Sequence, residues 1–228
     1  MCQICKNENL NKLQELDIFN CPLLTSISNI KGLKKLYCDY CPLLTSISNI
    51  SKLEILFCQN CPILTSISNI KGLQILYCDY CPLLTSISNI SKLEILFCQD
   101  CPLLTSISNI KGLQVLYNDN CPLLTSISNI KGLQRLYCMN CPLLTFIPII
   151  SKLKRLYCDN CPLLTSIPII KGLQLLECNN CPNLMYCPKN ITNTNLTLPF
   201  KNCKYLTSNK MNKLYNNIYK LWKYYKLK

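Results

Sequence analysis

Leu33, Leu53, Leu73, Leu93, Leu113, Leu133, Leu153 and Leu173 stand 20 residues apart, and one phrase, in essence C-P-L-L-T-S-I-S-N-I-K-G-L-Q-x-L-Y-C-D-N, recurs between them. A period this short holds one supersecondary unit, which cannot bury an apolar face alone and must stack on copies of itself. The chain of 228 residues, about half of them apolar at 49%, is therefore predicted to form one elongated solenoid. Its long surface, rather than a pocket, is the candidate functional feature.

With Leu33 numbered as position 1, the apolar or cysteine residues fall at positions 1, 4, 6, 9, 12, 15 and 18: Leu33, Leu36, Cys38, Cys41, Leu44, Ile47 and Ile50. These seven are predicted to face inward. Around positions 3 to 6 the spacing drops to two, so Lys35 and Tyr37 should face opposite to Leu36 and Cys38, giving one short parallel strand per turn. Pro42 and its equivalents at position 10 lack an N–H and fix φ, which ends the ladder and favours an extended return path. Twenty residues leave no room for a full helix on the back.

Nine units start at Leu13 through Leu173 and occupy residues 13–191, after a lead-in over 1–12. Residues 192–208 read as a degenerate tenth unit, in which Asn202-Cys203 echoes the N-C of the others and Pro199-Phe200 is a two-residue insertion. Residues 209–228 read as a basic amphipathic helix, with Met211, Leu214, Ile218, Leu221, Trp222 and Tyr225 on one stripe. An open last layer needs covering, so this helix is predicted to be a C-terminal cap.

The unit L-x-x-L-x-C-x-x-C-P-x-L-x-x-I-P-x-I resembles a short leucine-rich repeat, L-x-x-L-x-L-x-x-N/C-x-L, with Cys at the last Leu slot and at the Asn/Cys slot. The likeness covers residues 13–191. It is similar to the 20-residue class of bacterial secreted effectors, and its C-P-L-L-T-S-I-P wording is similar to leucine-rich repeat proteins of amoeba-infecting giant viruses. The resemblance implies a curved parallel β-solenoid, with strands on the concave face and extended or turn-like returns on the convex face, used for binding protein.

Chemistry has little to work with. The chain has no histidine, which removes Ser-His and Cys-His pairs and mixed zinc sites, and its five glycines all lie at position 20, in no phosphate-binding fingerprint. No enzyme activity and no cofactor are expected. Nor is a membrane span, because no stretch approaches the roughly 18 apolar residues one requires. Met1–Glu8 has no apolar h-region of a secretory signal, so the expected location is intracellular and cytoplasmic, the host cytoplasm if the source is viral. The net charge is +13; residues 189–228 hold nine lysines and no acid, so the array reads as nearly neutral and the tail as basic.

Cys38, Cys41, Cys58 and Cys61 read as C-x2-C-x16-C-x2-C, inside the spacing window of a zinc ribbon. Phase favours another reading, since both cysteines of each pair occupy inward slots and free Cys packs as a small hydrophobe. Two stacked thiol columns are expected, with a soft metal or disulfides as the alternatives. Asn118 and Ile18 replace Cys at position 6, which suits a packing column better than a four-ligand site. Cys2 and Cys5 fall out of phase and are the weak candidates for an exposed, reactive or metal-binding pair.

Outward strand residues form two columns. Tyr37, Phe57, Tyr77, Phe97, Tyr117, Tyr137 and Tyr157 stand at position 5. Ile55, Ile75, Ile95 and Val115 stand at position 3, with Arg135 and Arg155 replacing the aliphatics near the C-terminal end. Asp39, Asp79, Asp100, Asp119 and Asp159 should rim the stripe. Stacked aromatics can simply stabilise a sheet. An apolar stripe over several layers also suits an interface. The expected function is a monomeric protein-interaction scaffold using this concave stripe on an unidentified protein partner. The alternative is nucleic-acid or anionic-membrane binding through the lysine tail, with a metal- or redox-active cysteine protein third.

Overall fold

Leu36 is fully buried between two half-exposed neighbours, Lys35 and Tyr37, and the same alternation recurs in nine three-residue strands of one parallel sheet. These are Glu15–Asp17, Lys35–Tyr37, Ile55–Phe57, Ile75–Tyr77, Ile95–Phe97, Val115–Tyr117, Arg135–Tyr137, Arg155–Tyr157 and Leu175–Glu177. The computed structural model describes Ile4, Leu10, residues 13–186 and Asn202–Cys203. Every strand pairs with its equivalent one repeat on, as in Lys35↔Ile55, Leu36↔Leu56 and Tyr37↔Phe57. Backbone bonds extend the ladder on both sides: the Glu54 N–H donates to the Lys34 carbonyl (2.8 Å) and the Cys58 N–H to that of Tyr77 (2.8 Å). At about 4.8 Å per strand, the nine span roughly 38 Å.

All seven inward columns are buried, and they form one core running the length of the stack. In the second unit Leu33, Leu36, Cys38, Cys41, Leu44, Ile47 and Ile50 each have 0% exposure. The inward phase read from the sequence is therefore the phase of the fold.

The return path differs from the expectation of one strand per turn. Ser26–Ile27 pairs with Ser46–Ile47, Ser66–Ile67 with Ser86–Ile87, and Ser106–Ile107 with Ser126–Ile127, all in parallel. Single bridges continue the line at Phe146↔Ser166 and Ser166↔Tyr186. Once the turn at Pro-Leu is past, Ile at position 15 must point inward while Ser at 14 points out. That alternation is itself a strand, and stacking at the sheet's spacing brings the backbones into register. The Thr45 hydroxyl adds a bond to the Thr25 carbonyl at 2.9 Å.

Between sheet and return, position 8 adopts the left-handed conformation in every described layer, with φ from 52° to 62°. Asn tolerates this region and is the usual occupant. Four amide bonds of 2.7 Å link Asn120, Asn140, Asn160, Asn180 and Asn202 in a continuous ladder, the last across a spacing of 22 residues. Tyr40 and Tyr80 hold the same conformation despite their bulk. At the opposite corner, three glycines at position 20 pack tightly on the preceding layer: a Cβ would lie 2.9 Å from the Leu53 carbonyl oxygen on Gly72, 3.2 Å from that of Leu93 on Gly112 and 3.1 Å from that of Leu113 on Gly132. The expected helix over 209–228 and most of the tenth unit lie outside the described residues, and no helix occurs among those described.

Candidate functional site

The strand face gathers the predicted binding residues. Seven rings stack in one file, from Tyr37–Phe57 (centroids 4.8 Å apart, 13° between planes) through Phe57–Tyr77 (4.4 Å, 5°) to Tyr117–Tyr137 (4.0 Å, 12°) and Tyr137–Tyr157 (4.4 Å, 6°). Parallel strands carry equivalent side chains at the spacing of stacked rings, so the ladder follows from the register. Ile55, Ile75, Ile95 and Val115 run beside it, half-buried like the rings, and Arg135 and Arg155 are exposed at its C-terminal end. Burial, and then the adjoining Tyr137 hydroxyl, push the Tyr117 phenol up to about 12.

Stacking changes what the face presents. Each interior ring covers its neighbours, so the ladder offers ring edges and no broad aromatic plane. A column of exposed apolar residues lies elsewhere, at position 11 after the proline: Leu23 (54%), Leu43 (44%), Leu83 (41%), Leu103 (38%), Leu123 (41%), Leu143 (38%) and Leu163 (42%); Phe19, Phe146, Ile149 and Met185 are exposed outside it. Tyr40 and Tyr80, half-exposed at position 8, flank that corner along the chain. The sequence did carry this signal, because the first Leu of C-P-L-L stands outside the inward phase.

The aspartates were expected at the rim, yet Asp79 and Asp119 are buried at 5% and 8% exposure. Where the chain leaves the sheet, the position-7 N–H of the next layer needs an acceptor, and the carboxylate supplies it. The Oδ1 atoms of Asp39, Asp79, Asp119 and Asp159 accept from the N–H groups of Gln59, Gln99, Met139 and Asn179 at 2.6–2.8 Å. Burial raises Asp39 and Asp79 above the usual range and Asp119 to about 6, against the lowering effect of these bonds. Asp100 and Asp79 add repulsion at Asp119.

The cysteines form two columns, and all seventeen that are described are buried. Position-9 thiols donate to the position-6 carbonyl of the preceding layer, as Cys61 to Cys38 (3.3 Å) and Cys161 to Cys138 (3.2 Å). Position-6 thiols donate forward, as Cys38 to the Phe57 carbonyl (3.2 Å). Burial pushes Cys61 up to about 12 and Cys81 to about 11, far from the thiolate needed for nucleophilic or ligand chemistry. Among the described residues no group of three or more Cys, Asp or Glu side chains is arranged to hold a metal ion. Cys2 and Cys5 lie outside the described residues.

One member breaks the columns. Asn118 stands at position 6 with 0% exposure, and neither its Oδ1 nor its Nδ2 has a hydrogen-bond partner. Its neighbours above and below, Cys98 and Cys138, occupy slots shaped for a thiol that bonds to a carbonyl. The column holds Asn in a thiol's place, at the cost of two unpartnered polar atoms.

No helix among the described residues is long and apolar enough to cross a membrane. No curated protein matches the chain. A family model described as Leucine Rich Repeat matches residues 12–33, which span the first strand and its return. With one inward-facing strand motif per 20 residues stacked in parallel over nine layers, the fold is that of a leucine-rich repeat solenoid, an architecture typical of protein-interaction scaffolds.

Proposed function

We propose that the protein is a non-enzymatic scaffold that binds another protein through the strand face. The observation that carries this reading is the seven-ring ladder, continuous from Tyr37 to Tyr157. Rings locked against one another lose little freedom on binding, so a partner meets a preorganised apolar ridge, flanked by half-buried aliphatics and ending in exposed Arg135 and Arg155. Aromatic and arginine side chains are favoured anchors of interfaces. Asp79 and Asp119 are turned into the corner, so the exposed polar contacts beside the ladder fall to the arginines, which suit acidic or carbonyl groups. Reduced thiols throughout the core suit a reducing compartment.

The exposed leucine column favours a second reading, in which the proline-leucine corner is the contact surface. Affinity capture from the source organism under reducing conditions, run with the native protein, with Arg135→Ala/Arg155→Ala and with Leu83→Ala/Leu103→Ala, separates the two. Capture lost in the arginine variant alone supports the strand face. Loss in the leucine variant alone moves the function to the corner.

A further inference from the structure

The near-neutral array conceals a separation of charge across each layer. Every acidic residue between 13 and 186 lies on the strand or the corner that follows it, at positions 2 to 8. The return half, positions 10 to 20, contains no acid in any unit from Pro22 to Gly172. It contains one lysine per unit: Lys31, Lys52, Lys71, Lys92, Lys111 and Lys131, followed by Lys152 and Lys171. All eight are exposed, in the turn that leads back into the sheet. The turn dipeptide switches between Lys-Gly and Ser-Lys, yet each version supplies one cation. Among the described residues none of the eight is in an ion pair; the pair that forms, Lys35 with Glu15 at 3.5 Å, lies on the strand face.

We propose that this edge binds single-stranded nucleic acid through its phosphate backbone, without reading sequence. Stacking at about 4.8 Å places the eight lysines in a row roughly 34 Å long. Such a row of one sign, with Glu54 and Glu94 at position 2 as the acids that follow it in the chain, attracts a linear polyanion and fixes its direction. Duplex DNA fits a row along one edge poorly, because about 34 Å is a full helical turn, over which each backbone winds right around the axis and away from the row. A single strand carries one phosphate per about 3.4 Å of its length when stacked and can stretch to follow the row. Beside the lysines, Ser28-Asn29 and their equivalents through Ser128-Asn129 add a hydroxyl and an amide per layer, side chains that commonly contact phosphate and sugar. Base stacking would need free ring faces beside the lysines; no aromatic residue stands at positions 16 to 20 of any unit from Ser28 to Gly172, and the seven ladder rings are on the strand face, already stacked on each other. Contact therefore stops at the backbone.

The test uses the full chain and a labelled oligothymidylate of about 12 nucleotides, followed by fluorescence anisotropy across a salt series. Lys71→Gln, Lys92→Gln, Lys111→Gln and Lys131→Gln combined should weaken binding at least about tenfold. They should also make the slope of log affinity against log salt shallower by about 3, at roughly 0.7 per phosphate contact. Lys213→Gln, Lys220→Gln, Lys223→Gln and Lys226→Gln combined should leave that slope as it is. The melting curve of the edge variant should match the native one, since these side chains are exposed and unpaired. Native-like binding by the edge variant would overturn the proposal, as would a loss that follows the tail variant. So would equal affinity for a duplex of the same length, or for oligoglutamate, which would reassign the edge to an acidic polypeptide.

Discussion

Asn118 leaves two polar atoms unpartnered in the middle of a thiol column. Each such buried group costs about 1–3 kcal/mol. Asn118→Cys restores the repeat's own solution and is expected to stabilise the protein by about that amount in urea unfolding; a lower midpoint would contradict the column account. Asp119 shows a second local cost. Its carboxyl titrates near 6 in the fold because it is buried, and near 3.8 when exposed. Between those values the native state binds the extra proton, so stability rises as pH falls from about 6 to about 4 and is constant in this respect above 6. Asp119→Asn keeps an Oδ1 acceptor for the Met139 N–H without the buried charge. It should therefore melt higher than the native protein at pH 7.5 and about level with it at pH 4. Tyr80 is a third, held at φ 57° where Asn is the usual occupant. Tyr80→Asn should gain about 1 kcal/mol, unless the exposed ring of Tyr80 serves binding, in which case stability and affinity move in opposite directions. None of these costs could be read from residue type alone. The inward phase of position 6 was visible, but whether an amide there finds a partner depends on what the facing carbonyls already accept.

At the scale of the strand and its return, spacing in the sequence told most. A period-two step at positions 3 to 6 located the strands, and the prolines located their ends. The second line of pairing was hidden because Thr-Ser-Ile-Ser contains a single inward residue between turns, too little alternation to mark a strand in isolation; only stacking on an identical neighbour completes it. The aromatic column was equally plain, while its stacking was not, since sequence gives the column and the register gives the angle between rings. That stacking alters what Tyr77→Ala with Phe97→Ala should do. Three ring contacts vanish together, Phe57–Tyr77, Tyr77–Phe97 and Phe97–Tyr117. At about 0.5–1.5 kcal/mol per pair, the variant should lose about 1.5–4.5 kcal/mol of stability in thermal or urea melts. An unchanged melting curve would mean that the ladder contributes nothing to the sheet, and that its place on the face is purely for binding.

Over the whole molecule, the stack turns a repeated residue into a line, and each line is a surface with one chemical character. Ring edges run along the sheet, leucines along the proline corner and lysines along the edge where the return re-enters the sheet. Charge counted along the chain set a neutral array against a basic tail; counted across a layer, it separates acids on the strand half from lysines on the return half. That division follows from the stacking and is invisible to any window slid along the sequence. Which line meets the protein partner is the central question, and the exposed arginines answer it most directly, because unlike the rings they can be removed without loosening the sheet. The decisive measurement is the affinity of the captured partner for Arg135→Ala/Arg155→Ala, made alongside a melting curve. A strand-face scaffold requires a loss of at least about fivefold, the scale of 1 kcal/mol that marks an interface anchor, with an unchanged melt. Native affinity in that variant, with binding lost in Leu83→Ala/Leu103→Ala instead, would contradict it.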